Sequence, residues 1–340
     1  MKKTLLLICF FVFTYSVSSQ NEIDLSEKYA ASITAKEIGN HLFTYASDEF
    51  EGRNTGEPGQ KMAVEYLKDF YVKHKIISPI GGEDYYQEVP ASYMNKLSRR
   101  GELKDSENVV AFIKGTEKPD EIIVISAHLD HVGMNKDGEV FNGADDDGSG
   151  TIAVLEIAEA FKKAVNDGNG PKRSILFLHV TGEEKGLLGS RYYTENPIFP
   201  IANTIANLNI DMIGRVDERH KGNPNYVYLI GSDKLSTSLH EVSEAMNTKY
   251  TSLELDYKYN DENDPNRFYY RSDHYNFAKL NVPIIFYFNG THADYHKETD
   301  TPDKINYEQL ETRTRLVFHT AWEVANREAT IVADKIEKAE

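Results

Sequence analysis

The 340-residue chain carries a single cysteine, Cys9, so no intramolecular disulfide can form, and stability must come from a packed core and from any metal the chain holds. It also lacks a stripe of Lys or Arg: 38 basic side chains face 54 acidic ones, a formal net charge of −16. Such a surface repels phosphate backbones, which excludes nucleic acid as a partner. The chain has no run of the roughly 20 apolar residues needed to cross a bilayer. The unbroken apolar run from Leu5 to Phe13 is too short for that, follows Lys2 and Lys3, and precedes the small residues Val17, Ser18 and Ser19. This pattern predicts a secretory signal peptide over residues 1–19 and an exported protein, periplasmic or secreted, with no stable membrane insertion after cleavage. Cys9 follows the bulky Ile8 and lies too early for a lipoprotein cleavage site. Without residues 1–19, 36 basic side chains remain against 54 acidic ones, a net −18.

What remains can bury a large core, since 40% of the residues are hydrophobic. There is no internal repeat and no low-complexity linker, so residues 20–340 are read as one domain. Ser47 to about His74 reads as helical, interrupted by the turn EGRNTGEPG at 51–59, and residues 76–108 read as irregular or weakly stranded. Beyond them, apolar strands alternate with an amphipathic helix at Thr151–Val165, the pattern of an α/β sheet covered on both faces.

Four apolar runs end in groups that can bind metal. EIIVISA (121–127) leads into His128-Leu129-Asp130, SILFLHV (174–180) into Thr181-Gly182-Glu183-Glu184, TIANLNI (204–210) into Asp211, and VPIIFYF (282–288) into a loop ending at His296. In open α/β sheets the ligand site lies outside the carboxyl ends of the strands. Imidazole nitrogen with carboxylate oxygen is a zinc donor set, whereas an all-oxygen set would favour calcium or magnesium. Two histidines and three carboxylates can hold two zinc ions if one carboxylate bridges. Asp146, Glu184 and Asp211 then bring −3 against +4, a balance that one hydroxide completes. Glu183, beside Glu184, is left to take a proton from water, and metal-assisted hydrolysis follows.

The order H-L-D (128–130), D-D-G-S-G (146–150), G-E-E (182–184), N-x-D-M-x-G (209–214) and D-Y-H (294–296) resembles the zinc aminopeptidases of peptidase family M28, and EGRNTGEPG resembles that family's amino-terminal segment. The likeness covers about residues 105–325. It implies an α/β/α sandwich with a mixed, mostly parallel central sheet of the zinc-dependent exopeptidase type, and two zinc ions. Asp146 would be the bridge, with His128 and Asp211 on one ion and Glu184 and His296 on the other. Glu183 would be the general base, Asp130 the acid orienting the His128 ring, and Tyr295 a donor to the oxyanion. The implied activity is an exported aminopeptidase that removes the first residue of peptides with a free amino terminus by means of a zinc-held hydroxide. The alternatives are a one-zinc glutaminyl cyclase-like aminoacyltransferase, a carboxypeptidase or dipeptidase of the same family, and a binding module on an inactive peptidase scaffold. None of the five expected ligands is missing, which disfavours the last.

Asp147 stands where the family usually has asparagine, and its carboxylate is expected to accept from amides at the helix start. A calcium loop is disfavoured, because GADDDGSG lacks the alternating D-x-D-x-D spacing. His292 reads as a solvated loop residue or a rim contact, and Asp273 and His274 as pocket-lining or structural. His41, His74, His179, His220, His240 and His319 have no motif around them.

Overall fold

The structure is a computed structural model describing residues 24–98 and 101–336; the expected signal peptide at 1–19 lies outside them. The strands are β1 (Tyr86–Val89), β2 (Ser106–Ile113), β3 (Lys118–His128), β4 (Gly133–Met134), β5 (Val140–Phe141), β6 (Arg173–Val180), β7 (Thr204–Ile210), β8 (Tyr226–Ile230), β9 (Glu254–Asp256) and β10 (Ile284–Phe288). Eight of them form one sheet in the order β1-β2-β6-β3-β7-β10-β8-β9, and β4 and β5 pair separately. The middle of the sheet, β6-β3-β7-β10, is parallel, while β2 and β8 join it antiparallel. The mixed, mostly parallel sheet of an α/β fold is therefore present. Among the described residues, no helix is long and apolar enough to cross a membrane.

Alternation along β3 shows why the sheet is buried on both sides. Ile123, Ile125 and Ala127 join the core formed with the helices Gly150–Asn166 and Tyr307–Asn326, whereas Ile122 and Val124 face a second core that includes Tyr193 and Phe277. Successive strand residues point to opposite faces, so a run apolar at every position fits a sheet covered twice. Register aligns the strand ends: His128 lies opposite Val180, and Ile210 opposite Tyr287. Every chain exit from the parallel strands thus opens on one edge.

Sequence reading missed part of this frame. Residues 76–108 contain β1, the helix Ala91–Leu97 and the start of β2, and helices at Leu25–Ala30 and Ala35–Tyr45 precede the expected helical opening. β2 is antiparallel to β6 and almost wholly buried, a placement that its polar start, Ser106-Glu107-Asn108, does not advertise.

On the helix Gly150–Asn166, Glu156 is 2% exposed, and its Oε1 has no hydrogen-bond partner. Burial, with Glu37 and Glu159 nearby, raises its carboxyl to about 8 from an ordinary 4.5. The folded protein therefore holds this proton more tightly than the unfolded chain, and stability is lost as pH rises from about 4.5 through 8. Each unit of difference is about 1.4 kcal/mol. Glu156→Gln should accordingly leave the denaturation midpoint nearly unchanged at pH 4.5 and stabilise the fold by up to about 4 kcal/mol at pH 8.5. An equal effect at both pH values in chemical denaturation would contradict this.

Candidate metal centre

The five expected ligands converge at the shared sheet edge. His128 Nε2 lies 3.2 Å from Asp146 Oδ1 and 3.6 Å from Asp211 Oδ1. On the other side of Asp146, His296 Nε2 is 3.0 Å from Asp146 Oδ2 and 3.0 Å from Glu184 Oε1. Zinc–ligand bonds of about 2.0–2.1 Å in a tetrahedron put neighbouring donor atoms about 3.4 Å apart. The separations found scatter around that edge length, and the two oxygens of Asp146 face different imidazoles. Asp146 Oδ2 is also buried without a hydrogen-bond partner. The donor set fits zinc.

Electrostatics agree. Burial works against a charged His128, yet Asp211 and Asp146 raise its proton affinity well above an ordinary histidine's. Burial likewise works against ionised Glu184 and Asp146 adds to the cost, but His131 and His296 hold the carboxyl down at about 2. The cluster attracts positive charge, which protons or metal ions can supply.

The three adjacent aspartates divide the work. Asp145 Oδ1 accepts from Gly214 N at 2.6 Å and Ser149 Oγ at 3.0 Å, and its Oδ2 lies 3.2 Å from His292 Nε2. Asp146 faces the imidazoles. Asp147 accepts from Gly150 N (2.9 Å) and Met212 N (3.1 Å) through Oδ1, and from His128 N (3.1 Å) through Oδ2. It therefore ties together the helix start, the turn after Asp211 and the end of β3. Three backbone donors leave Asp147 a brace, although it lies close enough to His128 and Asp211 to complete a ligand cluster. His292 is buried against Asp145, not solvated or at a rim, and helps fasten the loop that carries His296.

Asp130 departs from its expected role. The His128 Nδ1 contact at 2.9 Å is to the backbone oxygen of Asp130, and the carboxylate stands 3.9 Å away. That carboxylate accepts instead from Thr55 Oγ1 at 2.7 Å and Glu183 N at 3.1 Å, so it fixes the main chain at Glu183 to the amino-terminal segment. Asp211 is oriented by a polar chain that starts inside the sheet: Ser126 Oγ donates to Asn209, Asn209 to Ser272, and Ser272 Oγ to Asp211 Oδ2 at 2.7 Å. Tyr295 stacks on His296 with centroids 4.0 Å apart, and burial with nearby Asp146 and Glu184 keeps its phenol protonated, hence a donor. His274 Nε2 donates to Tyr269 O, and burial lowers it to about 3, so the ring is neutral. Asp273 is buried against Ser190, with its carboxyl raised to about 7 by burial.

Arg53, inside EGRNTGEPG, was not singled out. Fully buried, it donates to Leu129 O (3.2 Å), Tyr45 O (3.2 Å), Asn142 O (2.6 Å) and Gly143 O (2.9 Å). One guanidinium thus joins the loop after His128 to the turn before Asp146. Arg53→Met should cost about 3 kcal/mol, because four carbonyls lose a charged donor and some lose their partner. A thermal melt within a degree of the parent would refute that role.

The sequence profile described as "Peptidase family M28" matches residues 108–321. The chain belongs to peptidase family M28. Among curated relatives, it is 31% identical over 265 residues to leupeptin-inactivating enzyme 1 of Streptomyces exfoliatus, covering 76% of this chain and 49% of that protein. It is 29% identical over 226 residues to a probable leucine aminopeptidase of Trichophyton verrucosum, covering 64% of this chain and 57% of the relative. The M28 chain thus spans about half the length, or less, of most of the curated relatives it matches. Among solved structures, a zinc aminopeptidase of Bacillus subtilis superposes with a TM-score of 0.65 at 17% identity, over 90% of this chain and 99% of that one. The LapA aminopeptidase of Legionella pneumophila gives 0.66 at 22% identity, over 90% and 76%. At these identities the likeness is one of fold.

Proposed function

We propose that this M28 protein is an exported aminopeptidase working with two zinc ions, one held by His128, Asp146 and Asp211 and the other by Asp146, Glu184 and His296. The observation that carries this reading is the position of Asp146, with one oxygen toward each imidazole and Glu183 lining the cavity beside it. Zinc bound there would supply Lewis acidity and make a coordinated water acidic enough to react near neutral pH. Glu183 takes the proton of the attacking water and returns it to the leaving amine. Without metal, burial together with the nearby carboxylates of Glu184, Asp211 and Asp273 raises the proton affinity of Glu183 well above an ordinary glutamate's. Tyr295 donates to the oxygen that gains charge at the scissile carbonyl.

The cavity is lined by the acids Asp146, Glu183 and Asp211, the apolar Met212, Phe268, Phe286 and Phe288, and the polar Arg271, Thr291 and Tyr295. The wall of Met212, Phe268, Phe286 and Phe288 suits an apolar first side chain. Leu, Met or Phe aminoacyl substrates should show kcat/KM at least about 10-fold above their Asp or Lys counterparts. The deciding assay measures hydrolysis of such a panel with free and acetylated amino termini, before and after chelation, and ammonia release from an amino-terminal Gln peptide. Activity that survives chelation removes the metallopeptidase reading, cleavage of acetylated peptides points to carboxypeptidase action, and ammonia release points to cyclase chemistry.

A further inference from the structure

We propose that His131 is a fourth protein ligand at the second metal position, joining Asp146, Glu184 and His296. This rests on the metal-site reading above but goes beyond its five-residue ligand set. His131 lies three residues past His128, and its backbone N–H is held at 3.1 Å by Arg53 O in a bridge to Asn54. The turn through Leu129 and Asp130 thereby delivers its imidazole to the opposite side of Asp146 from His128. Nδ1 lies 3.1 Å from Glu184 Oε1 and 3.8 Å from Asp146 Oδ2.

Three observations favour ligation over a passive place in the core. The residue is 0% exposed, its Nε2 has no hydrogen-bond partner, and the polar atoms facing Nδ1 are carboxylate oxygens of Glu184 and Asp146, both proposed metal ligands. An ion facing Nδ1 gives that nitrogen and both carboxylates a shared partner. The rings of His131 and His296 are 5.6 Å apart at 74°, and two imidazoles on one zinc at bond lengths of about 2.1 Å hold their centroids about 5–6 Å apart. Finally, the ring is backed by bare main chain. A Cβ at Gly143 would stand 2.5 Å from His131 Cγ and 2.6 Å from Cδ2, and Gly143 also has φ +56°. Glycine there leaves room for the ring, and any side chain would displace it.

The consequence is asymmetry between the two positions. Two imidazoles and two carboxylates complete a four-coordinate shell from protein alone, the arrangement of retained zinc, whereas His128, Asp146 and Asp211 leave a position open. The second position should therefore fill first and empty last.

The test titrates metal-free protein with Co(II) and Zn(II), following heat and the visible Co(II) spectrum, for the parent, His131→Phe and Gly143→Ala. In the parent, the first Co(II) equivalent should give the intense absorption of a four-coordinate ion. His131→Phe should weaken one of the two affinities at least about 100-fold, leave the other unchanged and abolish that absorption. Gly143→Ala keeps every donor atom but crowds both the His131 ring and Asp146 O, which would lie 2.3 Å from the new Cβ, so it should weaken the second position more than the first, and the idea stays testable if His131→Phe does not fold. Two unchanged affinities and an unchanged spectrum in a folded His131→Phe overturn the proposal and leave the metallopeptidase reading intact. A parent that binds neither ion overturns both.

Discussion

Glu183→Gln is expected to lower kcat by about 10³-fold at pH 7 while metal content and KM stay close to the parent's. Glu183 follows Gly182 in the turn after β6, with its N–H fixed to Asp130 Oδ1 at 3.1 Å and its own carbonyl accepting from Gly186 and Leu187. The main chain therefore holds the side chain over the cavity whatever the head group is. Glutamine has the same shape and cannot accept the proton, so the substitution removes one chemical capacity and little else. Glu184, next in sequence, provides the contrast. It faces His296 and His131, and Glu184→Gln should remove metal as well as activity. Metal analysis beside steady-state kinetics separates the two, and a Glu183→Gln protein as active as its parent would assign the base elsewhere.

What the sequence made legible follows from where the physics is local. A strand buried on both faces must be apolar at every position, so β3, β6, β7 and β10 stand out as continuous runs, and parallel register brings their ends to one edge. The residues just beyond three of these runs are His128, Glu183 with Glu184, and Asp211, whereas Asp146 and His296 are picked out by the motifs that resemble family M28. The supports were not legible, because they act through space on backbone groups. Nothing in the order of residues says that Arg53 will meet carbonyls at 129, 142 and 143, or that Asp145 will meet His292 across 147 positions. The same holds for Asp130, whose carbonyl takes the role expected of its carboxylate. His131 did leave a signal, a second histidine three residues after the first at a strand end, but it lay outside the motif that drew attention.

The proposed bridge gives the sharpest expectation for metal content. Asp146→Asn keeps the volume of the side chain but removes its negative charge, so one of the two metal positions loses its oxygen and the other keeps only a weakly ligating neutral amide oxygen. Affinity at both positions should fall by more than about 100-fold and hydrolysis should become undetectable. Asp211→Asn, by contrast, should weaken only the position shared with His128, since Asp211 approaches His128 at 3.6 Å and is anchored on Ser272. The fold should survive Asp146→Asn, because the turn is held independently: Asp300 Oδ2 accepts from the N–H groups of Asp145 and Asp146, and Asp147 keeps its three amide donors. Burial works against a charged Asp146, yet His128, His131 and His296 hold its carboxyl well below the usual range, so Asp146→Asn should lower the melting temperature of the metal-free protein somewhat, and the large stabilisation that zinc confers on the parent should vanish. A metal titration in which Asp146→Asn loses one ion and retains the other at parental affinity would show that the two positions do not share this residue.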